Sequence, residues 1–123
     1  YDAMYKVVIL ANTVMGADLK VKDVERVGIT SITSEDILTA KEQNKRWKLI
    51  ARVIEENGSI RASVKPEMIN QTDPLYSIQG VTNAVMYDCD LAGQITLTGP
   101  GAGRRETGYS LLIDLINIDR HQL

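Results

Sequence analysis

A single cysteine, Cys89, and a single histidine, His121, stand in 123 residues. One thiol cannot close an intrachain disulfide, and without a His or Cys neighbour it cannot hold a metal, so a secreted disulfide scaffold and a metal centre are both excluded. A reducing cytosol is the compartment this usage predicts. Free cysteine packs as a small hydrophobe, and Cys89 is expected half-buried in a structural place rather than poised as a nucleophile. A dominant charge is missing too: 14 Lys plus Arg against 16 Asp plus Glu leave a formal −2, with no basic field to draw nucleic acid or an anionic membrane. No apolar run approaches the ~20 residues that span a bilayer, and the amino terminus has neither the basic segment nor the apolar core of a secretory leader. The expectation is a cytoplasmic chain with no nucleic-acid and no membrane partner. Repeats, linkers and low-complexity tracts are also missing, so one domain is expected, and 44% hydrophobic residues suffice for one core. The chain opens on Tyr1, not an initiator Met, and runs at once into a helical pattern; a segment removed upstream is expected.

What is present is a clear alternation of periods. From Asp2 to Met15 the residues Ala3, Val7, Val8, Leu10, Ala11, Val14 and Met15 recur at three- and four-residue spacing, with Gly16 where a helix ends. Val21 to Ile29 is short and valine-rich and predicts a strand. Thr33 and Ser34 can cap a helix from about Glu35 to Asn44, whose first turn places Glu35 and Asp36 at the positive end of the dipole. Trp47 to Ile54 and Ser59 to Val64 flank Asn57-Gly58, the strongest short hairpin signal. Pro66 has no N–H to give a ladder and is expected to end that strand, with an irregular connection as far as Pro74. Val81 to Tyr87 and Gln94 to Thr98 form a second hairpin about a turn at Asp88 to Gly93. The run from Gly99 to Gly103 is expected to be irregular, and Glu106 to Asp119 carries Leu112, Ile113, Leu115, Ile116 and Ile118 at helical spacing. The order α, β, α, β, β, β, β, α predicts an α+β fold: a mostly antiparallel or mixed sheet of two hairpins with helices packed on one face. Such a sheet can pair with a copy of itself, so a homodimer is expected.

Two places could carry chemistry. Asp2 and Lys6 are four apart and rise from one face of the first helix, where a carboxylate and an ammonium could bind an amino acid and move a proton. The plain alternative is a surface ion pair contributing roughly 0.3–0.5 kcal/mol. The glycine run offers backbone N–H groups before the last helix, a geometry suited to an anion or to close approach of a cofactor, or simply a permissive turn. It lacks the Lys-Ser/Thr ending of a Walker loop, and no βαβ unit follows it. His121 lies near the end without a partner motif, Arg104 and Arg105 are expected to be solvated, and Trp47 reads as a sheet or interface anchor.

Taken together the segments become specific: Tyr1-Asp2-Ala3-Met4-Tyr5-Lys6-Val7-Val8-Ile9-Leu10, Val27-Gly28-Ile29-Thr30-Ser31-Ile32, Gly80-Val81-Thr82-Asn83-Ala84-Val85, and Gly99-Pro100-Gly101-Ala102-Gly103 with Thr107. In order and spacing they resemble the homoserine dehydrogenase family over essentially the whole chain. D-x-x-x-K at the start and G-x-G-A-G-x-x-x-T near the end are the specific pieces. The resemblance implies that residues 1–123 are the carboxy-terminal portion of the catalytic region, used for substrate binding and dimerisation, without the amino-terminal dinucleotide-binding domain. It implies an oxidoreductase interconverting L-homoserine and L-aspartate 4-semialdehyde with NAD or NADP, on the route to threonine, methionine and isoleucine. By the same resemblance Asp2 and Lys6 bind the substrate, Lys6 moves the proton to and from the carbonyl oxygen, and Gly103 and, less directly, Gly101 approach the cofactor. That chemistry is physically apt, because the alkoxide that develops as hydride arrives needs a proton or cation close by. Arg104, Arg105 and Glu106 depart from the small or apolar residues many relatives carry there, and the arginines are not placed in the site. The family's cation site, an upstream Lys and a substrate-binding Glu would precede Tyr1. This portion alone is expected to be inactive; the contrasting expectation is a stand-alone, non-catalytic amino-acid-binding or dimerisation module.

Overall fold

The helical spacing that opens the chain becomes α1, Asp2–Val14, in the computed structural model, which describes residues 1–121. Its buried stripe is Met4, Val7 and Ala11, one side chain per turn on a single face. The Met15 N–H returns to Ala11 O at 3.0 Å, and Gly16 at φ +64° turns the chain out of the helix. Asn12 then ties down the following segment: its Nδ2 donates to Leu19 O at 3.0 Å while its Oδ1 accepts from the Leu19 N–H at 2.9 Å.

The strand expected from Val21 to Ile29 is shorter than its composition suggests. Lys20 N–H donates to Asp23 Oδ2 at 2.9 Å and closes a 3-10 turn over Val21–Asp23, leaving β1 only Glu25–Arg26. Helix α2, Ser34–Glu42, starts on a reciprocal cap at Thr33. Thr33 N–H donates to Asp36 Oδ2 at 2.8 Å, and Thr33 Oγ1 accepts from Asp36 N–H at 3.2 Å.

Asn57 and Gly58 both take positive φ, +53° and +74°, as the tightest hairpin turn requires, and join β2, Lys45–Glu56, to β3, Ser59–Asn70. All twelve residues of each strand are paired, from Glu56 with Ser59 to Lys45 with Asn70. Pro66 therefore does not end the strand. Counting from the turn, Glu56 and Ser59 are the hydrogen-bonded closing pair and pairs alternate thereafter, so Leu49 and Pro66 fall on a pair that exchanges no hydrogen bonds. The N–H that Pro66 lacks would point to the other side of β3, where β1 pairs in parallel only with Ser63 and Val64.

The sheet order is β1-β3-β2. Trp47, Leu49, Ala51 and Val53 share one face with Met68, Pro66, Val64 and Ala62. Onto it α1 brings Met4 and Val7, which with Val24, Ala62 and Val64 form the core, and Leu19, Val21 and Val53 pack around them. Val7 keeps only 2% of its surface exposed, a burial that stabilises by roughly 1.5–3 kcal/mol. Helix α2 packs on β2 and buries Ala40. The opposite face carries the Arg52–Glu67 ion pair, 2.7 Å, beside the buried Ile69.

The chain divides into two compact units, Tyr1–Asp73 and the part from Pro74 onward. The second unit begins with a 3-10 turn, Pro74–Ser77, continues as an antiparallel hairpin of β4, Thr82–Cys89, and β5, Gly93–Pro100, and ends in α3, Arg104–His121. The α+β class and the element order are those expected, but the two hairpins form separate sheets, β1-β3-β2 and β4-β5. Gly99 and Pro100 belong to β5, so the irregular glycine segment is reduced to residues 101–103. No residue of α3 is buried: Leu111, Leu112, Leu115 and Ile118 are all exposed.

Candidate active site

The amino-terminal turn of α1 presents the first pair. With Met4 and Val7 turned into the core, the 3.6-residue period leaves Asp2 and Lys6 on the outer surface, and the Lys6 Nζ stands 2.9 Å from Asp2 Oδ2. Their side chains remain 83% and 55% exposed, so both charges are open to an incoming molecule. Tyr1, just before them, lies under the Arg26 guanidinium, 4.5 Å from carbon to ring centre, which ties the start of α1 to β1. The expected pair is thus brought together on one face.

Gly101 and Gly103 lie in the loop between β5 and α3, in the second unit. Gly101 N–H donates to Val81 O at 2.7 Å, one step past the last rung of the hairpin. Gly103 has φ +147°, a conformation that calls for glycine, and a Cβ there would push aside the Glu106 carboxylate, the far end of an exposed side chain. Its carbonyl accepts from the Thr107 N–H at 3.0 Å and starts α3. Gly103, Arg104, Thr107, Gly108 and Leu111 line an open groove along the first turns of that helix. Arg104, left aside in reading the sequence, therefore borders it. The missing side chains of Gly103 and Gly108 leave backbone bare where a flat or phosphate-bearing ligand could lie against a helix amino terminus.

A third feature was not singled out in the sequence. Ile29, Ile32, Ile37, Trp47, Lys48, Leu49 and Pro66 enclose an apolar cavity of about 330 Å³ between the β1–α2 segment, α2 and the sheet. Burial, with Arg46 alongside, holds the Lys48 ammonium below its ordinary range. Trp47 proves to be a cavity wall as well as a sheet residue.

The remaining singled-out residues have quieter places. Cys89 is half-buried at the end of β4, as expected. His121 lies in the last described turn of α3, its Nδ1 2.7 Å from Asn117 O, a contact in which Nδ1 carries the proton. Among the described residues no three His, Cys, Asp or Glu side chains gather as a metal site, and no helix is long and apolar enough to cross a membrane.

The family model for homoserine dehydrogenase matches residues 1–116. The chain belongs to the homoserine dehydrogenase family. It is 47% identical over 119 residues to the NAD(+)-dependent homoserine dehydrogenase of Pseudomonas canavaninivorans, covering 96% of this chain and 34% of that protein. To the homoserine dehydrogenase of Methanocaldococcus jannaschii it is 37% identical, covering 95% and 33%. The crystal structure of Staphylococcus aureus homoserine dehydrogenase at pH 6.5 superposes with a TM-score of 0.86 at 35% identity, covering 99% of this chain and 31% of that one. The homoserine dehydrogenase of Thiobacillus denitrificans gives 0.87 at 28% identity, covering 97% and 28%. The chain thus spans about a third of the length of the homoserine dehydrogenases it matches, and within that third the fold is theirs throughout.

Proposed function

We propose that the protein to which these residues belong interconverts L-homoserine and L-aspartate 4-semialdehyde with NAD or NADP, in the biosynthesis of threonine, methionine and isoleucine. The observation that carries this reading is the Asp2–Lys6 pair, which puts a carboxylate and an ammonium 2.9 Å apart on an open helix face in a chain of this family. Asp2 binds the amino-acid part of the substrate. Lys6 sits at the reacting oxygen, giving it a proton as the aldehyde is reduced and taking that proton back as the alcohol is oxidised. The name of the Pseudomonas relative supports NAD, and NADP is kept beside it.

When bound, the dinucleotide supplies or accepts the hydride. The glycine loop suits such a ligand because Gly103 and Gly108 put no side chain of their own into the groove that Arg104, Thr107 and Leu111 border at the start of α3. In the proposed reaction Gly103, with Gly101 behind it, offers bare backbone to the cofactor, most of whose contacts belong to a dinucleotide-binding domain outside this portion. Residues 1–123 alone then bind substrate poorly and turn nothing over. Self-association as a homodimer in the cytoplasm, with neither nucleic acid nor membrane as partner, completes the reading.

The test is an assay of the full-length protein with L-homoserine and each oxidised dinucleotide, followed by nicotinamide absorbance. Homoserine-dependent reduction of either cofactor is expected. Amino-acid binding without turnover would overturn the reading and leave a binding module in its place.

A further inference from the structure

Gly101 presents a puzzle of its own. Its φ is not positive, so its backbone is one that any residue adopts, unlike that of Gly103. Glycine is needed there for space alone, and the space is already taken: a Cβ at position 101 would coincide with Cγ, Nδ2 and Oδ1 of Asn83. The register explains how the amide comes to lie there. Asn83 pairs with Gly99, so Asn83, Gly99 and Gly101 belong to one face of the hairpin, with Gly101 the diagonal neighbour two residues along. The Asn83 amide leans along the strand to Gly101 and leaves Gly99 clear, where a Cβ would meet nothing within 4 Å. On the backbone side the Gly101 N–H is held at 2.7 Å by Val81 O. The loop is therefore gripped twice by the start of β4.

We propose that Asn83 is a positioning residue for the glycine loop: its amide fills the place of the absent Gly101 side chain and fixes the path on which residues 101–103 leave β5. Asn83 then demands a glycine at 101 independently of anything the cofactor asks of that position. Where it concerns cofactor affinity the proposal rests on the dehydrogenase reading; where it concerns the loop's path it does not.

The full-length protein with Asn83→Ala, Gly101→Ala and both together separates these parts. Two readouts are taken: hydrogen exchange at the residue-101 amide, and the KM for the dinucleotide against kcat. Each single substitution is expected to speed exchange and raise that KM about tenfold with kcat little changed, an effect within the range of contacting pairs. The double variant is expected within about threefold of wild type, because the methyl group introduced at 101 fills the volume the amide has left. Effects in the double variant that equal the product of the two singles would overturn the proposal, as would a Gly101→Ala protein indistinguishable from wild type. Should Gly101→Ala fail to fold, a double variant that folds supports the proposal and one that also fails overturns it. A wild-type protein without dehydrogenase activity would overturn the functional reading, while exchange at residue 101 still decides the role of Asn83.

Discussion

The Lys6 ammonium and the Asp2 carboxylate touch across one turn of α1, 2.9 Å apart, with the apolar side of that same turn sunk in the core through Met4 and Val7. Rigid footing and open charges come from the same three residues per turn. A solvated pair at this spacing contributes only about 0.3–0.5 kcal/mol, so a zwitterionic substrate can part it at little cost. In the proposed reaction this would free Asp2 for the substrate's ammonium and Lys6 for its reacting oxygen.

Lys6→Met in the full-length protein is expected to lower kcat by about 10²–10⁴, the usual contribution of a positioned proton donor. Because the lost ion pair is exposed, the thermal midpoint should move by no more than a degree or two, of the order expected for ~0.5 kcal/mol. Steady-state rates beside a calorimetric scan check both, and an unchanged kcat removes Lys6 from the chemistry.

Two glycines of one groove should answer oppositely. At Gly108, inside α3, an added Cβ meets nothing within 4 Å, so Gly108→Ala should stabilise the helix by about 0.5–1 kcal/mol while narrowing the groove. Gly103→Ala meets both φ +147° and the Glu106 carboxylate and should destabilise the start of α3. Thermal midpoints and dinucleotide affinity, measured side by side, expose the contrast. A rise in stability for both would mean that residues 101–103 take another path.

The Thr33 N–H and, at 2.7 Å, the Thr33 hydroxyl both donate to Asp36 Oδ2 and hold the carboxyl below its ordinary 3.8. A group lowered on folding adds stability that is complete above the unfolded value and is lost as pH falls through the folded one. The cap of α2 should therefore weaken only in acid, below about pH 3.8. In Thr33→Ala the backbone N–H still donates, so the Asp36 titration, followed by NMR, should shift only part of the way back upward, and this part of the acid sensitivity should diminish. A carboxyl that titrates at the same pH in both proteins would contradict the cap.

Val7→Ala removes two methyl groups from the best-buried side chain of the core, and should destabilise the first unit by about 2 kcal/mol. Denaturant unfolding with an unchanged slope is the measurement. A loss under about 0.5 kcal/mol would mean that the site collapses around the smaller residue.

The order of elements was legible because each rests on local chemistry: Gly16 after an apolar stripe, Thr33 with Asp36, Asn57 before Gly58. Pro66 was misread because the cost of a proline depends on which side of the strand its missing N–H faces. That side follows from the parity of a register counted from Asn57-Gly58, not from the residues around Pro66. Likewise Lys6 and Asp2 announced themselves by spacing, whereas the grip of Asn83 on Gly101 needs β4 and β5 already paired. The cavity beside Trp47 draws its walls from three segments, and no single one of them reads as a pocket. The leucines of α3 show helical spacing and nothing about what covers them.

β1 has only two residues, and its partners on β3 are Ser63 and Val64, far along the chain from Glu25 and Arg26. The β2–β3 hairpin closes through its own turn, an event of about 1–10 μs, while β1 must wait for that hairpin to exist before it has anything to join. Arrival is thus expected to be ordered in time, with the parallel rung last. In a pulsed exchange experiment the Val27 amide, which donates to Val64 O at 2.9 Å, should gain protection after the amides of β2 and β3. Simultaneous protection would mean that the loop from β1 to the sheet closes as fast as the turn itself. If the order holds, α1 can already rest on the β2–β3 sheet through Met4 and Val7 while the Tyr1–Arg26 contact beside Asp2 is still to be made, so the residue that precedes the charged pair is the last of that turn to be fastened.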